Sequence, residues 1–210
     1  MRRLHLKVCG MRDADNVAAV GAVRPDYMGF IFVPSSPRFV GESLSPDAIM
    51  LPSQVKRIGV FQNAPLESVL ERIAQFALHG VQLHGDENLA YMRSLREASP
   101  SILILKAVRV TAAHDIAQIT DDAGIPDLFV LDSAHGGSST SFEWSWLSRY
   151  TASVPYLLAG GIGLAELDSV ERLAEQHPLL HGIDVNSRVE HAPGIKDIKR
   201  IQEIAMRLGV

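Results

Sequence analysis

The chain has 210 residues, 47% hydrophobic and 21% charged, an ordinary balance for a folded domain that excludes a disordered or coiled-coil protein. A formal net charge of −4 leaves no basic stripe, so neither nucleic acid nor an anionic membrane is expected as a partner. The single cysteine, Cys9, excludes an internal disulfide framework and a cysteine-held metal, and a reducing cytoplasm is the compartment that fits. One domain over residues 1–210 is expected. The segment from Leu4 to Val8 alternates polar and apolar residues, unlike the apolar core of a signal peptide, and no apolar run is long enough to span a bilayer.

Taken in chain order, the pattern predicts a strand over Leu4–Cys9, a helix from Asp13 to Val23, a strand over Tyr27–Val33 and a helix opened by Ser45-Pro46. A strand at Arg57–Phe61 leads to the clearest helix, where Leu66, Val69, Leu70, Ile73, Ala74 and Ala77 form one stripe, with Asn63 as cap and Pro65 in the first turn. Val81–His84 follows as a strand, with Asp86 as the cap of the next helix. Further strands are read at Ile102–Val108, Leu128–Asp132, Pro155–Ala159 and Gly182–Asn186. Ile198, Ile201, Ala205 and Leu208 line a last helix that Gly209 ends. Strands alternating with helices at a period of roughly 25 residues imply βα units and a parallel sheet. An open doubly wound sheet is the alternative; eight strand candidates, rather than five or six, favour a (β/α)₈ barrel.

Side chains alternate across a strand, so Leu4, Leu6 and Val8 share one face and His5, Lys7 and Cys9 the other. By the same rule Gln82 and His84 oppose Val81 and Leu83, Asp184 and Asn186 oppose Ile183 and Val185, and Asp132 ends the sixth strand. Polar groups therefore gather inside the barrel at the carboxyl ends of strands. A barrel interior is normally packed with branched apolar side chains, so catalysis at that end is the reading that accounts for them, although any one could be a hydrogen-bonded interior residue. Gly160-Gly161 after the seventh strand and Asn186-Ser187-Arg188 after the eighth occupy the loops where barrels hold phosphate. The Gly/Ser-rich run from His135 to Ser139 is expected to act as a lid. The remaining histidines show no metal-ligand spacing.

Several blocks recur in the order of a known family: Lys7-Val8-Cys9-Gly10, Gly29-Phe30-Ile31-Phe32 with Ser36-Pro37-Arg38, Val81-Gln82-Leu83-His84-Gly85-Asp86, Leu131-Asp132-Ser133, Leu158-Ala159-Gly160-Gly161, Asp184-Val185 and Pro193-Gly194-Ile195-Lys196-Asp197. The chain resembles phosphoribosylanthranilate isomerase over almost its whole length. The resemblance implies a single TIM barrel of the ribulose-phosphate-binding type. It also implies an Amadori rearrangement of N-(5-phosphoribosyl)anthranilate to 1-(2-carboxyphenylamino)-1-deoxyribulose 5-phosphate in tryptophan biosynthesis, without a cofactor. It assigns Cys9 as base and Asp132 as acid, with Arg38 on the anthranilate carboxylate, and it puts His84 and Asp184 in the site. Gly160, Gly161, Asn186, Ser187 and Arg188 are the expected phosphate contacts. The chemistry needs Cys9 poised by positive charge, for which Lys7 and the Schiff-base cation are candidates, and Asp132 kept protonated by burial. Arg188 stands where the family usually has glycine, Asn186 where serine is common, and Arg12 where threonine is typical; the loop after the sixth strand lacks its usual second glycine. Two rivals are the related histidine-pathway isomerase, which has aspartate where Cys9 stands, and a catalytically silent phosphate-binding barrel.

Overall fold

The computed structural model describes residues 2–41, 44–120, 124–133 and 142–210. Its strands are β1 (His5–Val8), β2 (Tyr27–Ile31), β3 (Lys56–Phe61), β4 (Gly80–Leu83), β5 (Leu103–Val110), β6 (Leu128–Ser133), β7 (Tyr156–Leu158) and β8 (Leu180–Val185). They pair in sequence order, all parallel, and β8 closes on β1 with Lys7 opposite Asp184. Closure decides between the two expected sheets, because an open doubly wound sheet leaves its first and last strands apart.

Alternation along the strands sorts the core into two shells. Leu4, Leu6, Val8, Val81, Leu83, Ile183 and Val185 face outward and pack with Val17, Val69, Leu95, Val170 and Ile201 from the helices. Ile58, Leu105, Val130 and Leu157 fill the interior instead. The helices of this outer layer are α1 (Ala14–Ala22), α2 (Leu66–Phe76), α3 (Leu89–Ala98), α4 (Ala113–Ala117), α5 (Leu167–Gln176) and α6 (Ile198–Leu208). Asp13 caps α1 by accepting from the Asn16 N–H, and Gly209 ends α6 in the left-handed conformation at φ 74°.

The helical coat is thinner than the alternation of elements predicts. After β2, Ser45-Pro46 opens only a 3₁₀ turn over Pro46–Ala48. Pro34, Pro37, Pro46 and Pro52 punctuate that connection and each removes a backbone donor, so a long helix cannot form; Val40, Leu44, Ile49 and Val55 cover the barrel from irregular chain. After β6 the described residues form a 3₁₀ segment, Trp144–Arg149, that buries Leu147. Two expected caps do other work. Asn63 lies in the left-handed region at φ 51°, and its side chain accepts from the Asp86 N–H at 2.7 Å. Pro65, expected in the first turn, instead stands at the N-cap position of α2, and Asn88, rather than Asp86, caps α3 by accepting from the Tyr91 N–H. Asn63 and Asp86 thus tie the loop after β3 to the loop after β4. No helix among the described residues is long and apolar enough to cross a membrane.

The amino ends of the strands are closed by polar contacts. Asp26 accepts from the Leu6 N–H at 2.9 Å and pairs with Arg3 and His5. The His5 ring stacks on His181 at 3.9 Å, and the Tyr27 hydroxyl lies 3.1 Å from His181 Nε2. Burial first, and the neighbouring His5 second, push the His181 pKa down to about 4. Because the folded value lies below that of the unfolded chain, neutral His181 stabilises fully above about pH 6.5, and this contribution is lost as the pH falls toward 4. The parent should therefore lose stability between those values more steeply than His181→Gln, as read by urea midpoints at each pH. Gly182 sits where an added Cβ would lie 2.0 Å from the His5 carbonyl oxygen, so backbone would have to move at the closing seam. Gly182→Ala should cost about 1–3 kcal/mol in urea unfolding, in the range of overpacked cores.

Candidate active site

The carboxyl ends of the strands surround a cavity of about 340 Å³, within the size range of small-ligand sites. Cys9, Arg38, His84, Asp132, Gly160, Gly161, Asp184, Asn186, Ser187 and Arg188 all line it, so the positions singled out in the sequence come together at one mouth. The His135–Ser139 segment, expected as a lid, lies outside the described residues. Arg12 is not in the lining; its guanidinium donates to the Pro37 carbonyl at 2.9 Å and so supports the loop that carries Arg38.

Cys9 follows the last residue of β1, and its N–H donates to the Val185 carbonyl at 2.9 Å, which fixes the strand end against β8. Its thiol packs on Ile31 and Val60 and is 5% exposed. Gly29 on β2 leaves room for the sulfur, because a Cβ there would lie 2.6 Å from Sγ. Two residues below, the Lys7 ammonium donates to Asp184 Oδ2 at 2.5 Å, with side-chain exposures of 0% and 7%. Burial opposes the Lys7 charge, but Asp184 and Cys9 outweigh it and hold its pKa above the ordinary lysine value. Burial pushes the Cys9 thiol up, with Lys7 and Lys196 pulling against that rise. Burial also raises Asp184, again against the pull of Lys7.

Across the mouth, His84 Nε2 lies 3.4 Å from Asp132 Oδ2, and Gln82 Nε2 lies 3.4 Å from His84 Nδ1. Gln82 Oε1 and Asp184 Oδ1 are buried without a hydrogen-bond partner, and both residues line the cavity. Unsatisfied buried acceptors are rare, and at a cavity wall they mark places for incoming donors. Gly160 and Gly161 take positive φ values of 84° and 70°. A side chain at Gly160 would meet Ser133 Oγ at 2.4 Å, so the loop after β7 runs flat against the end of β6. Beyond Asn186, a 3₁₀ turn over Ser187–Val189 completes the pair of strand-end loops that barrels use for phosphate.

Three charged residues beyond that set also gather at this mouth. Arg109 is the inward residue opposite Asp132 in the β5–β6 register and lines the cavity. The predicted strand stopped at Val108; continuing the alternation of Leu105 and Ala107 by one step would have found it. Glu190 and Lys196 lie on a small antiparallel hairpin, β9 (Glu190–Ala192) with β10 (Ile195–Lys196), that folds back beside the mouth. Among the described residues no group of histidine, cysteine and carboxylate side chains is arranged to hold a metal ion.

A closed parallel barrel with ionisable strand-end residues and phosphate-type loops around one carboxyl-end cavity defines a (β/α)₈-barrel enzyme of small phosphorylated substrates. Residues 6–207 match the family model described as N-(5'phosphoribosyl)anthranilate (PRA) isomerase. The chain belongs to that family, and it is an isomerase of tryptophan biosynthesis. It is 33% identical to the N-(5'-phosphoribosyl)anthranilate isomerase of Nostoc punctiforme, over 98% of this chain and 99% of that one. The phosphoribosyl anthranilate isomerase structure from Thermus thermophilus superposes with a TM-score of 0.82 at 25% identity, covering 98% of both chains. A further phosphoribosyl anthranilate isomerase, solved with reduced 1-(o-carboxyphenylamino)-1-deoxyribulose 5-phosphate, gives 0.79 at 27% identity, with 98% of both chains covered.

Removing one member of a buried ion pair leaves the other charge uncompensated. Lys7→Met should therefore lower stability by about 3–5 kcal/mol by urea unfolding at neutral pH, and Lys7→Met/Asp184→Leu should recover much of that loss.

Proposed function

We propose that this chain isomerises N-(5'-phosphoribosyl)anthranilate with Asp132 as general acid and Cys9 as general base, in one domain that spans residues 1–210. The observation that carries the reading is the meeting of these two groups at one cavity from β6 and β1, three strands apart around the barrel. Asp132 gives its proton to the ribose ring oxygen as the C1–O bond breaks, and the nitrogen lone pair closes a protonated Schiff base at C1. The Cys9 thiolate then takes the C2 proton. The C2–H electron pair forms the C1–C2 double bond, and the electrons of the C=N bond return to nitrogen. Transfer of the Cys9 proton to C1, with the C2 hydroxyl proton passing to the Asp132 carboxylate, gives the ketone and restores both groups. Substrate and product have the same atoms: the C1–O ring bond is lost and C2 becomes a ketone, so no co-reactant is needed.

The rest of the lining suits the ends of such a molecule. Arg38 presents a planar guanidinium for the anthranilate carboxylate, a task for which lysine is a poor substitute. Gly160, Gly161, Asn186, Ser187 and Arg188 surround the phosphate end, where backbone N–H groups and one cation meet its charge. The unpartnered Asp184 Oδ1 accepts from a sugar hydroxyl, and His84, beside Asp132, orients the acid. Lys7 supplies the positive charge that a buried thiol needs in order to ionise.

Cys9→Ala and Asp132→Asn should each lower kcat by about 10²–10⁴-fold, the range for loss of a general acid or base, with parental unfolding midpoints. The readout is the loss of phosphoribosylanthranilate fluorescence. Parental turnover in either folded variant would overturn the corresponding role.

A further inference from the structure

The hairpin that follows β8 carries a charge cluster that the acid and base roles do not use. Arg38 donates through Nε to Glu190 Oε1 at 2.9 Å and through Nη2 to Oε2 at 2.7 Å, a bidentate pair. Glu190 Oε1 also accepts from the Lys196 ammonium at 2.6 Å and from the Gly194 N–H at 3.0 Å. Lys196 reaches back to Asn186 Oδ1 at 2.7 Å. The Glu190 and Lys196 side chains are 5% and 0% exposed, so this is a buried network whose members depend on one another.

Its location is the end of β1. Gly10, directly after Cys9, lies so close that a Cβ there would be 2.7 Å from Arg38 Cδ and 2.8 Å from Asn186 Oδ1. The cluster therefore wraps the residue next to the thiol on the side away from Lys7. Two cations and one carboxylate leave one net positive charge. Glu190 takes the Nε–Nη2 edge of Arg38, so a second carboxylate must come to the other edge of the guanidinium. Without Glu190, Arg38 would lose its orientation and the two cations would repel each other.

We propose that Glu190 is a positioning residue of the isomerisation: it aims Arg38 at the anthranilate carboxylate and holds Lys196 as a second cation beside Cys9, coupling carboxylate recognition to thiolate formation. This rests on the roles given to Arg38 and Cys9 above. The charged groups around the thiol are Lys7 from β1, Asp184 from β8 and Lys196 from β10, with His84, Asp132, Arg38, Arg109 and Arg188 along the cavity wall. Lys196 acts on Cys9 in the same sense as Lys7. Burial lowers the Lys196 pKa and Glu190 opposes that fall, so removal of Glu190 lowers it further, frees the ammonium from its place and weakens its hold on the thiolate. In the other direction, burial works against the Glu190 charge, but Arg38 and Lys196 outweigh it and keep that carboxylate ionised.

Because Cys9 is the only cysteine, its alkylation by iodoacetamide against pH reports its ionisation without turnover. Lys196→Met should move the midpoint of that profile upward by about one pH unit, as expected for loss of a nearby cation at intermediate dielectric. Glu190→Gln should move it in the same direction and also raise KM for phosphoribosylanthranilate by about tenfold, the loss of one well-placed charged contact. Glu190→Asp, which keeps the charge, should return the midpoint toward the parent. Arg38→Lys should raise KM and leave the midpoint in place. Thermal melts select the folded variants, and Lys196→Met with Glu190→Asp carries the comparison if Glu190→Gln does not fold. A midpoint unmoved by Lys196→Met, or a KM unmoved by Glu190→Gln, would overturn the proposal. An active Cys9→Ala variant would instead sink the assignment of the base, and it has no bearing on the alkylation profile.

Discussion

The site depends on what happens where β8 meets β1. Closing a parallel barrel turns every second residue of each strand into a confined interior, and on this seam the register sets Lys7 opposite Asp184. Two charges buried there are tolerable only as a pair, since each alone would carry a large desolvation cost. Asp184 of that pair lines the cavity, with Lys7 fully buried beneath it. Cys9 stands one inward step above Lys7, and Asn186 one inward step above Asp184. Seam, ion pair and thiol are therefore one arrangement, and a shift of β1 by a single residue would exchange its inner and outer faces.

Electrostatics at the mouth run against the whole-chain charge. The protein is net negative, yet Arg38, Arg109 and Arg188 reach the cavity and Lys7 and Lys196 lie buried beside it. Asp132, Asp184 and Glu190 answer them, so the region alternates in sign over short distances. Such local patterning suits a substrate with a carboxylate at one end and a phosphate at the other, both of which need cations, and a proton-transfer centre between them that needs both signs. The net charge of the whole chain says little about a cleft of this size.

What could be read in advance followed the periodicity of the backbone. The alternation of Leu4, Leu6 and Val8 against Lys7 and Cys9, and of Ile183 and Val185 against Asp184, follows directly from strand geometry, and the structure distributes those residues in that way. Helix ends were less legible. Asn63 and Asp86 have the side chains of caps but spend them on each other, a choice fixed by the proximity of two loops in space. The connection after β2 carries enough proline to forbid a long helix, and that signal was present in the chain. Glu190 was hidden for a different reason: its partner Arg38 comes from another strand end, and only the fold-back of the β9–β10 hairpin brings them together, while Lys196 stood in a family block with no role attached. The motifs made Cys9 and Asp132 conspicuous by their neighbours in sequence; nothing comparable marks Glu190.

Gly29 contributes no functional group, yet it fixes where one can be. The thiol of Cys9 rests against its bare backbone, and even a methyl group there would occupy the space of the sulfur. The sulfur thus owes its depth in the barrel wall to a missing side chain on the adjacent strand. A side chain at that position would force the sulfur or the strand that carries it to move, and its effect in an assay would resemble the loss of a reactive group in a protein that retains every one of them.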